Sequence, residues 1–407
     1  MQLFLVVRNS QVSIASRRRH ALGILLGIVA MFVAGANGAG AQSQEGAPPS
    51  NLGSLERIAK KIEPDLQGRP KRLTQYVNFF QSQLGNDARL FAFDVDARVD
   101  ANGRVALEGY VEFPETRTGL EKFLHMLGFQ DVDNRLQTLP ANDVGDARFG
   151  LVKTTHTLSY DSPQQPRGVV TDCLLGEPLY VLREAGDFLL VHSGEGYLGY
   201  VAAADVLRVE AAAFENYATA PAVAMVANFE TDGGLVLPEG AALKGVLGSG
   251  GLATIELPTG ETVEIPADKC RPAGAPADDI EQIVATGRLL LGTPYHWGGK
   301  TTDGVDCSGL VQVSFAAVGL HLSRDANQQY YGGRLTATRW HRGRLRRGDT
   351  LYFAGEHGKI RHTAIYLGDD QFLHATMPRV TIGSFNPEDA NYDERRDKSF
   401  VFAKRLW

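Results

Sequence analysis

A chain of 407 residues, 43% hydrophobic and 22% charged, is ordered globular material with length for about two to four domains. Its net charge of −6, with no basic patch interleaved with aromatics, excludes nucleic acid as a partner and gives no reason for tight electrostatic binding to an anionic polymer. Of the three cysteines, Cys173, Cys270 and Cys307, at least one stays free even in an oxidising compartment.

Arg17, Arg18, Arg19 and His20 precede the apolar run ALGILLGIVAMFVAGA, and Ala39, Gly40 and Ala41 follow as a small-residue cleavage site. The run is shorter than the roughly 20 residues of a membrane span. We therefore expect residues 1–41 to be a secretory signal cleaved after Ala41, with no stable span afterwards and no lipid on a nearby cysteine. Residues 42–51 form a polar, proline-containing linker.

From 52 to 147 the pattern is mixed. LTQYVNFFQSQL has helical apolar spacing, FAFDVDARV and RVALEGYVEF alternate like strands around Asn102-Gly103, and TGLEKFLHMLGF is helical again. DNRLQTLP follows as a further strand. This order resembles a BON-type α+β module.

Between about 148 and 272 the helical period vanishes. GVVTDCLLG, PLYVLREAG, FLLVHSGE and YLGYVAAADVLRV, then VAMVANFET, ATIELPTG and TVEIPADKC, are short β-rich runs separated by glycines and prolines. Their spacing predicts two small β-barrels, at 148–212 and 218–272. The fragment ending in GYLGYV resembles a bacterial SH3 domain, and the second unit is a more divergent copy. Cys173 and Cys270 fall in different units and are expected to be unpaired buried thiols.

The most informative stretch is PYHWGGKTTDGVDCSGLV, residues 294–311. It sets Cys307 between a glycine-rich loop and an apolar run, Ser308 to Leu320, that reads as a helix ending at Gly319. Unpaired N–H groups at a helix N-terminus lower a thiol pKa and can receive an oxyanion, so cysteine-based acyl transfer is the leading chemistry. Such a nucleophile needs a base and an orienting group, which are usually distant in sequence. RHTAIYLG and QFLHAT, with Gly368, Asp369 and Asp370 between them, read as a hairpin. A three-residue loop pairs Leu367 with Gln371 and brings His362 and His374 to one face, whereas a two-residue loop sends them to opposite faces. His296, His321, His341 and His357 read as loop or surface residues, His296 being the one most able to touch a substrate.

The PYxWGG loop, the DCSGLV box, LSRDANQQ, LRRGDTLYF, RHTAIYLG and FLHAT, in this order, resemble the NlpC/P60 family of papain-like cysteine peptidases. Ser323 stands where a proline is common before the arginine. The resemblance implies a catalytic domain at 275–407, with Cys307 as nucleophile, His362 as general base and acid, and His374 as the orienting residue. Tyr295 would lie at the oxyanion site with the Cys307 backbone N–H, and Trp297 would line the cleft. No metal or cofactor is expected. The implied fold class is multidomain α+β: a papain-like domain preceded by two SH3-like barrels and a small N-terminal α+β module.

Two such barrels ahead of this domain resemble the γ-D-glutamyl-L-diamino acid endopeptidases, in which the first barrel closes the end of the cleft that receives the substrate N-terminus. A wall there favours short peptides with a free N-terminal L-alanine. Asp306, Glu177 and Tyr197 would form the amine pocket, and Ser308 would contact the peptide. For Asp306, a helix N-cap is the plainer role, and both can hold. Two alternatives stand: an endopeptidase acting on intact peptidoglycan stems, and a non-catalytic wall-binding or scaffold protein. The resemblance and the leader together imply a periplasmic enzyme of peptidoglycan turnover or recycling.

Overall fold

The computed structural model describes residues 51–85, 87–273 and 279–407. The leader over 1–41 and nearly all of the 42–51 linker lie outside the described residues. None of the described helices is long and apolar enough to cross a membrane.

The first module is the expected α+β unit, with a helix at Asn51–Ile62 ahead of the predicted one at Leu73–Leu84. A hairpin pairs Phe93–Val99 with Val105–Val111. Its register, Val99 opposite Val105, leaves a five-residue loop rather than a tight Asn-Gly turn. The Asp100 carboxylate holds that loop by accepting from the Asn102 and Arg104 N–H groups at 2.8 and 3.0 Å. The helix Pro114–Met126 begins with proline in its first turn, where no N–H is needed. The DNRLQTLP run gives two short strands, Val132–Asn134 and Gln137–Thr138, both parallel to Val105–Val111. Tyr76, Val77 and Phe80 pack on Leu107, Val111, Leu120 and Phe123 as one core.

The next unit is a seven-stranded antiparallel sheet. Its strands lie in the order Val206–Val209, Phe149–Val152, Pro178–Ala185, Phe188–His192, Leu198–Ala202, His156–Tyr160, Val169–Leu174. Cys173 from one edge and Val206 from the other share a core with Val152, Leu179, Val191 and Val201, so the sheet curls back on itself. A five-stranded sheet follows, ordered Thr262–Pro266, Leu252–Glu256, Ala242–Leu247, Ala222–Met225, Cys270–Pro272. It too closes on one core, of Val223, Met225, Ile255, Ile265 and Cys270. Cys173 and Cys270 are free and buried, each in its own core.

One expectation fails here. The helical period does not vanish over 148–272, because Ala211–Thr219 is a helix between the two sheets. Its sequence, AAAFENYAT, is rich in helix-favouring alanine, and Pro221 follows its end. Phe214 anchors it by stacking on Phe149, ring centres 4.6 Å apart.

The last unit carries a six-stranded antiparallel sheet in the order Arg334–Thr338, Phe400–Arg405, Thr350–Ala354, Ile360–Gly368, Gln371–Ala375, Val380–Ser384. The helices Ile280–Leu289 and Cys307–Ala316 cover it, through a core in which Ile283, Leu310, Val311 and Phe315 meet Ile365 and Leu373. The predicted helix after the DCSGLV box is therefore present. It is shorter than expected, with Gly319 at φ 75° closing the turn beyond it.

Candidate active site

Cys307 opens its helix, and Asp306 is the N-cap, accepting from the Gly309 N–H at 2.7 Å. The cysteine is 7% exposed. Burial pushes its thiol up to about 12, and the Asp306 charge adds to this, while the Thr363 backbone N–H and the Arg324 and Arg396 charges pull the other way. The expectation of a helix-lowered thiol is corrected: loss of solvent outweighs the helix terminus, and Cys307 rests as a neutral thiol.

His362 and His374 meet. His362 Nε2 lies 3.0 Å from His374 Nδ1, with both rings buried. The turn that allows this is not the three-residue loop on which the register was argued. Asp369 and Asp370 form a two-residue turn, both at positive φ (49° and 59°), with Gly368 paired to Gln371. A bulge at Leu367 then shifts the ladder by one residue, so Ile365 pairs with Leu373 and the two histidines regain a common face. Phe353 and Phe372 pack beside them, with ring centres 5.4 Å from His362 and 5.1 Å from His374. Burial, followed by the Arg396 charge, lowers both imidazoles, His374 to about 4. Both rings are neutral at pH 7. If His362 donates its Nε2 proton to His374 Nδ1, its Nδ1 keeps a lone pair and is competent as a base.

Tyr295 is half-buried, its N–H donating to the Pro378 carbonyl at 2.9 Å. Burial, then Cys307 and Asp306, raise its phenol above the usual range, so it remains an O–H donor. Trp297 is 61% exposed and open to a peptide. His296, His321, His341 and His357 are exposed, as expected.

The structure does not assemble the expected amine pocket. Asp306 Oδ1 accepts from the Gly309 N–H, Ser308 Oγ and Arg324 Nη1, and Oδ2 from the Gly298 N–H and Arg324 Nη2. Five donors leave this carboxylate no free lone pair for an amine. Ser308 is equally committed: its hydroxyl donates to Asp306 and accepts from Arg324, so it is not free to contact a peptide. Glu177 is drawn elsewhere. It accepts from the Leu174 and Gly194 N–H groups and pairs with Lys300 Nζ at 3.5 Å, in the wall of a cavity of about 370 Å³ between the two curled sheets and the Cys307 helix. Lys300 also binds Glu195 at 2.6 Å, and burial makes all three charges interdependent.

Tyr197 stays a candidate. It is 1% exposed, and its hydroxyl lacks a hydrogen-bond partner among the described residues. The carboxylate whose charge bears on it is Asp325, which sequence reasoning missed. Asp325 caps the short helix Ala326–Gln329, next to Arg324, and Gln329 Nε2 donates to the Ser308 carbonyl at 3.1 Å. The corner is thus tied to the first turn of the Cys307 helix. LSRDANQQ contained all of these residues; the missing information was which of them faces Tyr197.

Residues 292–395 match the NlpC/P60 family. The chain is 32% identical over 102 residues to the γ-D-glutamyl-L-lysine dipeptidyl-peptidase of Bacillus cereus, covering 25% of this chain and 29% of that one. It is 37% identical over 116 residues to the Bacillus subtilis enzyme of the same name, covering 28% and 38%. It thus spans well under half the length of these relatives. A solved NlpC/P60 family protein from Bacillus cereus shares the fold at TM-score 0.55 and 19% identity, over 63% of this chain and 99% of that one. The segment that holds Cys307, His362 and His374 is thus an NlpC/P60 family segment.

Proposed function

We propose that this chain is a cysteine peptidase of bacterial cell-wall peptides, exported to the periplasm for peptidoglycan turnover or recycling. It cleaves the amide between γ-D-glutamate and a diamino acid in short peptides with a free N-terminal L-alanine. The observation that carries the reading is the 3.0 Å contact between His362 Nε2 and His374 Nδ1, behind a cysteine at a helix N-terminus. The names of the Bacillus relatives support the bond cleaved.

As Cys307 Sγ attacks the amide carbonyl carbon, its proton passes to His362, and the oxyanion is received by the Tyr295 hydroxyl and the Cys307 N–H. His362 returns the proton to the leaving amine as the C–N bond breaks, which leaves a thioester. Water, deprotonated by His362, then attacks the thioester and releases the acid and the thiol. His374 fixes the tautomer, with a neutral ring where a serine triad has a carboxylate. This chemistry requires no metal or cofactor.

The curled sheet of residues 148–212 serves as an SH3-like wall. Its support is the set of contacts it makes with the catalytic unit: Thr171 with Arg324, Asp172 with the Lys300 N–H, and Glu195 with Lys300 and Gln312. With Asp306 and Glu177 occupied, Asp325 and Tyr197 remain to receive the amine. The test is incubation with L-Ala-γ-D-Glu-meso-diaminopimelate and its N-acetylated form, read by mass spectrometry. Cleavage of the free peptide, abolished in Cys307→Ala, is expected. Equal cleavage of both forms would instead indicate a hydrolase of intact stems.

A further inference from the structure

The corner formed by Asp325 and Tyr197 already holds a cation. Arg89 of the N-terminal module places Nη2 2.7 Å from Asp325 Oδ2, and its guanidinium carbon lies 4.7 Å from the centre of the Tyr197 ring. We propose that Arg89 is a specificity-determining residue that competes, from within the chain, for the place of the substrate's N-terminal ammonium group. The proposal rests on the free-N-terminus reading above and adds the N-terminal module to the substrate site.

Three observations carry it. Carboxylate and aromatic face together are what a cation is recognised by, and Arg89 satisfies both. Second, its pose is built. Asp87 caps the short turn Ala88–Leu90, accepts from the Arg89 N–H and Nε at 3.1 and 2.9 Å, and takes a hydrogen bond from Gln328 Nε2 at 2.9 Å. Two residues of the module thus dock on the helix that Asp325 begins. Third, the corner is not completed by Arg89. Among the described residues the buried Tyr197 hydroxyl has no hydrogen-bond partner, a cost that a small ammonium group would remove by donating to Asp325 and Tyr197 together.

Arg89 is replaceable. Its side chain is 35% exposed and that of Asp325 21%, and an ion pair with such access to water is weak. A tethered competitor still lowers apparent affinity by the fraction of time it occupies the site. Occupancy of about 90% gives a factor of about ten.

The test uses the full mature chain with Arg89→Ala and Arg89→Lys. For the free peptide, Arg89→Ala is expected to lower KM about tenfold, widening the preference over the acetylated form by the same factor. Arg89→Lys keeps a cation in place and stays near the parent. The same comparison in a Cys307→Ala background, by titration calorimetry with the free peptide, reads binding without turnover. Tighter binding without Arg89 supports the proposal. An unchanged or weaker affinity, or no binding to either protein, overturns it. Absence of hydrolysis in every variant would reject the proposed reaction, and the calorimetric comparison would still decide the role of Arg89.

Discussion

Cys307 is pulled in two directions. Its place at a helix N-terminus favours the thiolate, while burial and the neighbouring Asp306 carboxylate favour the thiol, and the second pair prevails. Proton transfer to His362 is therefore coupled to attack, which makes the neutral state of the imidazoles essential. Burial, followed by the charge of Arg396, holds His374 at about 4, whereas an unfolded chain takes up that proton near 6.5. The folded pKa is depressed, so the stability it contributes is complete above pH 6.5 and is lost as pH falls towards 4. In urea unfolding the share of His374 in the loss between pH 7 and pH 5 should be ~2 kcal/mol, absent from His374→Ala, while His362 keeps its own share. A profile equally steep in the variant would assign the acid sensitivity to other groups. For catalysis the same direction at His362 puts the acid limb of kcat/KM below pH 6.5. The residues of the proposed triad were legible in the sequence because each lies in a short motif with its own spacing. The partners of Asp306, Ser308 and Glu177 were not legible, because residue type gives a capacity for hydrogen bonding, and only the packed structure shows which partners use it up.

At the scale of elements, the hairpin of Ile360–Gly368 and Gln371–Ala375 turns a register into a catalytic arrangement. Side chains alternate between faces with a period of two, so the two-residue turn alone would separate His362 from His374. The Leu367 bulge restores them. Deleting Leu367 should therefore remove the bulge while leaving Ile365 opposite Leu373 and both histidines on one face, so kcat should stay within about tenfold of the parent while circular dichroism reports a folded sheet. A loss of about 10²-fold or more would show that the register is not what joins the rings. Periodicity identified the two strands and the turn residues. The bulge was not legible, because no residue type marks it here: Leu367 would serve equally in a regular strand. The helix Ala211–Thr219 escaped for a related reason, being a single short segment in a long run of β-rich signals.

At the scale of the whole molecule, the catalytic unit is held to the first curled sheet by buried charge. Lys300 joins Glu195 and Glu177 across the boundary, and Arg324 reaches from Asp306 to Thr171. Lys300→Ala would leave two buried carboxylates without a counter-charge. We expect a loss of about 3–5 kcal/mol in denaturant unfolding, the range seen when one partner of a buried pair is removed. A change below about 1 kcal/mol would mean that water replaces the lysine. This side chain lies 105 positions from Glu195, and Asp87 lies 241 from Gln328, distances over which no local pattern in a single sequence carries information. The sequence by itself determined the order of the units, the peptidase family of the last one and the choice of Cys307, His362 and His374 as its proposed triad, because period, turn residues and short motifs are local. Tertiary structure alone decided the charge state of the thiol, the pairing of Asp306 with Arg324 and of Glu177 with Lys300, and the seating of Arg89 on Asp325. Desolvation, filled lone pairs and long-range ion pairs exist only once distant segments have packed together.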